Sequence, residues 1–199
     1  MKIAAESTPA PPRKRVQPRR ALRAIQSLLA NPDDTGKVFD IIDALSGNAG
    51  ERAFQRFRAT PAGAAILAER RSLLHILDDH ERLMTLPRGT LGRTYAEWVD
   101  REQITGQGLV DASQTGRRVE LDAERTLYYE RLRDMHDLWH VATGYGRDLL
   151  GEAALLAFSY AQTKNRGVGF IVAVAWLRAR GPMAAGRPVI VDGYRRGRR

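Results

Sequence analysis

Four histidines stand in the 199-residue sequence, and two of them, His136 and His140, are four residues apart in a stretch with helical apolar spacing. Residues at i and i+4 share one helix face, so both imidazoles can meet one ion. Asp137 lies beside them, and Glu152 follows a Gly-containing turn, on the next predicted helix. If those two helices pack antiparallel, Glu152 faces the pair. His136, Asp137, His140 and Glu152 are therefore the candidate metal ligands and catalytic residues. Two imidazoles with one or two carboxylates suit zinc first and another first-row divalent ion second. An open position on such an ion would polarise a substrate oxygen or activate water. The alternative is a helix that merely half-buries two histidines and an aspartate. The stretch HDLWH has Asp where the metalloprotease helix has Glu, one methylene longer, so peptide hydrolysis is disfavoured. His75 and His80 are five apart, face different directions, and read as packing or surface residues.

The elements that must position this group read as helices throughout. Leu22, Ile25, Leu28 and Leu29 make one apolar stripe, stopped at Asn31-Pro32. Asp33, Asp34 and Thr35 supply capping groups for a second helix with Val38, Phe39, Ile42 and Leu45, and Phe54 and Phe57 mark a third. Thr60-Pro61 reads as an N-cap with proline at the first helical position. A long helical segment follows, with Ile66, Leu67, Leu73, Leu74, Ile76 and Leu77, ending before Pro87. Thr90 caps a helix with Tyr95, Trp98 and Val99, and a short hairpin or connector is expected between Val110 and Leu121. Leu127, Tyr128, Leu132, Met135, Trp139 and Val141 then run to Gly144. After Gly146 another helix holds Leu149, Leu150, Ala153, Leu156, Ala157 and Tyr160. The uninterrupted apolar run at 168–177 is either a buried core helix or a surface that meets lipid. Arg166, Arg178 and Arg180 would then lie at phosphate level. The expected fold is all-α: one mainly helical domain over 16–199, with the metal site between two adjacent helices and a disordered basic tail over 1–15.

Composition narrows the chemistry. The absence of cysteine excludes a disulfide framework, cysteine zinc fingers, iron–sulfur ligation and a thiol nucleophile. With 43% apolar and 28% charged residues the chain fits a soluble globular protein, and no apolar run approaches the roughly 20 residues of a membrane span. No secretory signal is visible, because no apolar segment precedes the N-terminal basic cluster. The net charge of +9 is concentrated at the ends. Residues 1–23 hold seven Lys/Arg against one acid, and residues 187–199 hold five Arg against one Asp, leaving the rest at −1. Basic ends suit an anionic membrane surface, whereas a near-neutral body argues against a nucleic-acid groove. Tyr128, Tyr129 and Tyr145 could donate to a substrate oxygen or simply pack. Arg133 and Arg147 could pair with carboxylates or a substrate anion. Phosphate loops, dinucleotide fingerprints and a Ser-His-Asp order are absent.

His136-Asp137-Leu138-Trp139-His140, eleven residues, then Glu152 fits the pattern H-D-x-x-H-x11-E. It resembles the signature of the coenzyme Q biosynthesis protein four family. A second block, Leu86-Pro87-Arg88-Gly89-Thr90-Leu91-Gly92-Arg93-Thr94-Tyr95, is similar to the family's L-P-x-G-T-x-G-x-x-Y segment. Arg131-Leu132-Arg133-Asp134 ahead of the HD pair agrees as well, and the likeness runs from about residue 20 to residue 199. The resemblance implies a helical, often dimeric protein of ubiquinone biosynthesis, acting on a benzenoid head group with a long polyprenyl tail. Oxidative decarboxylation at ring carbon C1, carboxyl replaced by hydroxyl, is the activity it implies. It assigns the metal to His136, Asp137, His140 and Glu152. It also implies a homodimer and other ubiquinone enzymes as partners; the near-neutral body already gives no nucleic acid as a partner. The place it implies is peripheral on the cytoplasmic face of the cell membrane, or on the mitochondrial inner membrane in a eukaryote. Family members carry a further segment after the Tyr194–Arg198 stretch, so the domain reads as short at its C-terminus. The alternative role is a non-catalytic lipid-binding scaffold that organises the pathway's enzymes.

Overall fold

The computed structural model describes residues 15–31, 34, 36–104, 121–181 and 184–199, and among these it contains eleven helices and no strand. They are α1 Pro18–Ala30, α2 Gly36–Ser46, α3 Ala49–Arg58, α4 Pro61–Ala68, α5 Leu73–Leu77 and α6 His80–Thr85. After them come α7 Leu91–Glu102, α8 Ala123–Thr143, α9 Leu149–Thr163, α10 Arg166–Arg178 and α11 Gly186–Arg196. The expected all-α class is the observed one. The expected hairpin around Val110 and the tail before Arg15 lie outside the described residues.

The single long helix expected before Pro87 is instead three short ones, α4, α5 and α6. Two polar side chains interrupt it. Ser72 accepts from the His75 amide at 3.3 Å and Asp79 from the Arg82 amide at 3.2 Å, so each starts a new helix. Such local bonds compete with the helical ladder. Between α4 and α5, Arg70 takes a left-handed conformation (φ 51°), which no continuous helix accommodates.

Three apolar clusters hold the helices together. Ala24, Ile25, Ile41 and Ile171 join α1, α2 and α10. Phe54, Leu67 and Tyr128 join α3, α4 and α8. Leu73, Leu77, Leu83, Tyr95, Ala96 and Trp98 form the third, against which Met135, Leu138 and Val141 of α8 pack. The Leu86–Tyr95 block serves this third cluster. Thr90 caps α7 by accepting from the Arg93 amide. The Arg93 side chain ties back to the Met84 carbonyl and to Glu97. Tyr95 and Trp98 are thereby buried beneath α8.

The apolar run at 168–177 is half core and half surface. Val168 and Ile171 of α10 are buried, while Trp176 and Leu177 are exposed. Its neighbour α9 packs most extensively against α11. The two approach closely because Gly193 presents no side chain where a Cβ would run into the Ala154 carbonyl. Gly193→Val is expected to cost about 1–3 kcal/mol, the usual penalty of overpacking. Urea unfolding followed by circular dichroism measures it, and an unchanged midpoint would mean that the two helices are not in this close register.

Candidate metal centre

Helix α8 supplies His136, Asp137 and His140, and α9 supplies Glu152. Gly144, in left-handed conformation (φ 74°), closes α8, its amide bonding to the His140 carbonyl at 2.8 Å. Asp148 opens α9 by accepting from the amides of Leu150 and Gly151 at 3.0 and 3.1 Å. A Cβ at Gly151 would collide with the Gly146 carbonyl, so glycine there lets the turn fold tightly onto α9. One turn of chain thus sets the last turn of α8 against the first turn of α9, and Glu152 faces the histidine pair.

The ligand atoms of His136, His140 and Glu152 all lie within 4.8 Å of one another. Nε2 of His136 is 3.5 Å from one Glu152 oxygen, and Nε2 of His140 is 3.3 Å from the other. Asp137 is placed elsewhere: its Oδ1 lies 3.3 Å from Nδ1 of His136, on the side of the ring away from Glu152. A carboxylate there orients the imidazole and raises its basicity, the usual partner of a histidine that ligates a metal.

His140 is the deepest member, its side chain 1% exposed. Its Nδ1 stands 2.9 Å from the Tyr145 carbonyl. A carbonyl can only accept, so Nδ1 carries the proton. With Nδ1 as the donor, the neutral tautomer of the ring presents the lone pair of Nε2 toward Glu152 and His136. That Nε2 is buried and lies 3.3 Å from a Glu152 oxygen, which can only accept. A buried ring lone pair and a carboxylate oxygen facing each other are costly unless a proton or a cation lies between them, and a cation is a partner this donor set fits. Burial disfavours a charged His136, but Asp137 and Glu152 outweigh it and hold its imidazolium up to about 9. Burial would likewise raise the Glu152 carboxyl, yet the two imidazoles bring it down to about 2. Without an ion, a proton shared among these groups balances the carboxylate, and a divalent ion would displace it. The three residues could hold a metal ion.

Several features of the site were not expected from the sequence. Trp98 of α7 stacks on His140, with ring centroids 5.6 Å apart and planes within 19°. Its spacing of three from Tyr95, on one helix face, was the available signal. A cleft of about 160 Å³ opens beside His140, bounded by Trp98, Thr94, Arg101, Tyr145 and Gly146. Of the weaker candidates, Arg133 pairs with the buried Asp134 at 2.7 Å. His75 is exposed, and His80 lies 2.9 Å from Asp100, away from the centre. Tyr128 packs against Phe54 and Phe57.

Residues 18–183 match the family described as "Coenzyme Q (ubiquinone) biosynthesis protein Coq4". A mitochondrial ubiquinone biosynthesis protein COQ4 of Pyricularia oryzae is 38% identical over 105 residues, covering 53% of this chain and 33% of the relative. The mitochondrial protein of the same name in Neurospora crassa is 34% identical over 116 residues, 58% of this chain and 32% of the relative. The matched part therefore spans about a third of these relatives' length. A crystal structure of a Nostoc punctiforme protein, named for ubiquinone biosynthesis, superposes with a TM-score of 0.63 at 25% identity. That match covers 92% of this chain and 86% of the other. The matching stretch takes in both the Leu86–Tyr95 block and the His136–Glu152 centre, and the chain belongs to the coenzyme Q (ubiquinone) biosynthesis protein Coq4 family.

Proposed function

We propose that this chain acts on a prenylated benzenoid intermediate of ubiquinone biosynthesis, and that its reaction is oxidative decarboxylation at ring C1. The single observation that supports this best is the convergence of the ligand atoms of His136, His140 and Glu152 within 4.8 Å, with the buried Nε2 of His140 among them. Zinc is the first choice of ion for two imidazoles and a carboxylate, with another first-row divalent ion second. Asp137 belongs to the proposed set, either as a ligand or through His136. When bound, the ion would supply positive charge against a ring carboxylate or phenolate and against the charge that develops as carbon dioxide leaves. The residues around it supply the rest. The cleft beside His140, at about 160 Å³, has the size of cavities that accept a benzene ring. Trp98 gives it an aromatic wall, and Arg101, which lines it together with its ion-pair partner Glu102 at 3.6 Å, supplies a cation that a substrate carboxylate could share. The hydroxyl oxygen would come from dioxygen or a comparable oxidant acting on the electron-rich ring.

Access from a lipid surface fits the exterior of the same region. Leu149 is 69% exposed at the start of α9, three residues from Glu152. Leu150 covers Gly186. Next to Gly186, Arg187 lies 4.4 Å over the half-exposed Trp176 ring. Leu177 continues the apolar surface, with Arg178 and Arg180 exposed at its edge. No helix among the described residues is long and apolar enough to cross a membrane. A peripheral hold on an anionic membrane, through this apolar surface and its arginines, is the proposed location. A homodimer and contacts with other ubiquinone enzymes complete the proposal. The same exposed apolar surface favours the second reading, a lipid-holding scaffold in which the metal braces α8 against α9.

The two readings separate in a host that lacks its own copy and expresses either this chain or His140→Ala. Lipid quinones are profiled by mass spectrometry. The expected result is quinone from the parent and, from the variant, a prenylated intermediate that keeps its carboxyl. Equal quinone from both would contradict a catalytic centre at His140 and leave the scaffold.

A further inference from the structure

The turn that follows α8 is held from outside by α11, and the contacts lead to the deepest candidate ligand. Arg196 donates from Nη1 to the Thr143 carbonyl at 2.8 Å. Its guanidinium also lies 5.1 Å from the centre of the Tyr145 ring. The Tyr145 hydroxyl donates to Asp192 Oδ2 at 2.7 Å, and Asp192 and Arg196 lie one helical turn apart, 4.0 Å from each other. Between these fixed points stands the Tyr145 carbonyl that accepts from His140 Nδ1. The helix that provides Asp192 and Arg196 is itself seated on α9, where Gly193 and Gly197 allow it against the Ala154 and Phe158 carbonyls.

The turn needs such support. Two of its residues, Gly144 and Gly146, carry no side chain, and Gly144 and Gly146 are both exposed. Glycine at these places leaves many backbone conformations open. In most of them the Tyr145 carbonyl would leave Nδ1, and the proton could move to Nε2. An imidazole protonated on Nε2 has no lone pair to offer on the side where His136 and Glu152 converge.

We infer that Arg196 and Asp192 are positioning residues of the metal centre. By clamping Thr143 and Tyr145 they keep the Tyr145 carbonyl on His140 Nδ1, and so hold Nε2 as a ligand. This rests on the proposed metal centre, but its effect on the His140 tautomer exists without an ion. The carboxyl-terminal helix thereby bears on ion binding from a distance, touching neither ion nor ligand.

The test uses the full chain as parent, Arg196→Ala, Arg196→Lys, Tyr145→Phe and the neighbouring exposed control Arg195→Ala. Long-range proton–nitrogen correlation of the ion-free proteins reads the His140 tautomer. Cobalt(II) titration reads affinity and the visible ligand-field bands, and circular dichroism checks helix content. The parent is expected to show the Nδ1–H form. Arg196→Ala is expected to mix in the Nε2–H form, bind cobalt about tenfold more weakly, and shift the bands, as loss of a ligand's supporting shell does. Arg196→Lys, which keeps a donor, restores part of this, and Arg195→Ala behaves as the parent. If Arg196→Ala does not fold, Tyr145→Phe carries the test, with the same changes in smaller measure. Parent-like tautomer, affinity and bands in the folded Arg196→Ala or Tyr145→Phe protein overturn the inference. If even the parent takes up no cobalt, the metal reading fails separately. The tautomer then decides: its change in Arg196→Ala upholds the clamp, and its constancy overturns it.

Discussion

Replacing Glu152 by glutamine is expected to weaken divalent-ion binding by roughly two orders of magnitude or more, since losing even a ligand's outer partner costs about 10–100-fold, with helix content unchanged. The substitution keeps the size and shape of the side chain and removes only its charge. Glu152 is the acidic member of the convergent group, facing both Nε2 atoms at 3.3 and 3.5 Å. Glutamine could still present an amide oxygen, but a neutral oxygen does not compensate a divalent charge. The fold should tolerate the change, because the Glu152 side chain is about one-third exposed. The α9 cap comes from Asp148 and remains. Isothermal titration with zinc, alongside circular dichroism, measures both quantities. Unweakened zinc binding in the folded variant would remove Glu152 from the ligand set.

Arg125→Met should have the largest effect on stability, about 3–5 kcal/mol, the usual result of removing one partner from a buried ion pair. The Arg125 side chain is only 4% exposed. It meets Glu51 through two bonds of 2.8 and 2.7 Å and also bonds the Asp122 carboxylate. Its guanidinium lies 4.7 Å from the ring centre of the fully buried Phe54. This single side chain fastens α3 to the start of α8, the helix that presents the histidines. Methionine fills the space but leaves two carboxylates facing each other. For a chain of this size the loss lowers the melting temperature by roughly 10 °C. The pH dependence has a definite sign. Hydrogen bonds from Arg125 hold the Glu51 carboxyl below its usual range. Burial raises the Asp122 carboxyl, but bonds from Arg125 bring it below its usual range too. A carboxyl depressed in the folded state stabilises above its unfolded value and loses that contribution as pH falls through the folded value. The parent should therefore lose stability as the solution is acidified below about pH 4.5, and the variant should lose less. Thermal melts of both proteins from pH 7 to pH 3 measure this. Parallel melting curves would show that the Arg125 pairs contribute nothing.

What could be read from the sequence was local. His136 and His140 reveal their shared face because the helix period is fixed, and Glu152 stands out once the turn is placed between the two helices. The alternation of apolar stripes with Gly and Pro gives the all-α class for the same reason. The breaks at Arg70–Ser72 and Asp78–Asp79 were harder, since the apolar positions continue through them. Only the capping side chains Ser72 and Asp79 mark the new starts. The contacts that complete the site are between distant segments. Trp98 meets His140 because α7 crosses beneath α8. The group that orients His140 is a main-chain carbonyl, which has no letter of its own in a sequence. Arg125 looked like one of many arginines, and only burial between Glu51 and Asp122 sets it apart.

The most direct measurement is an equilibrium titration of the ion-free chain with zinc at pH 7, following bound metal and released protons together. One ion per chain is predicted, with about one proton released as the ion takes the place of the proton on the His136 imidazolium. No uptake, or uptake unchanged when His136, His140 and Glu152 are all substituted, would contradict a metal centre at the α8–α9 turn.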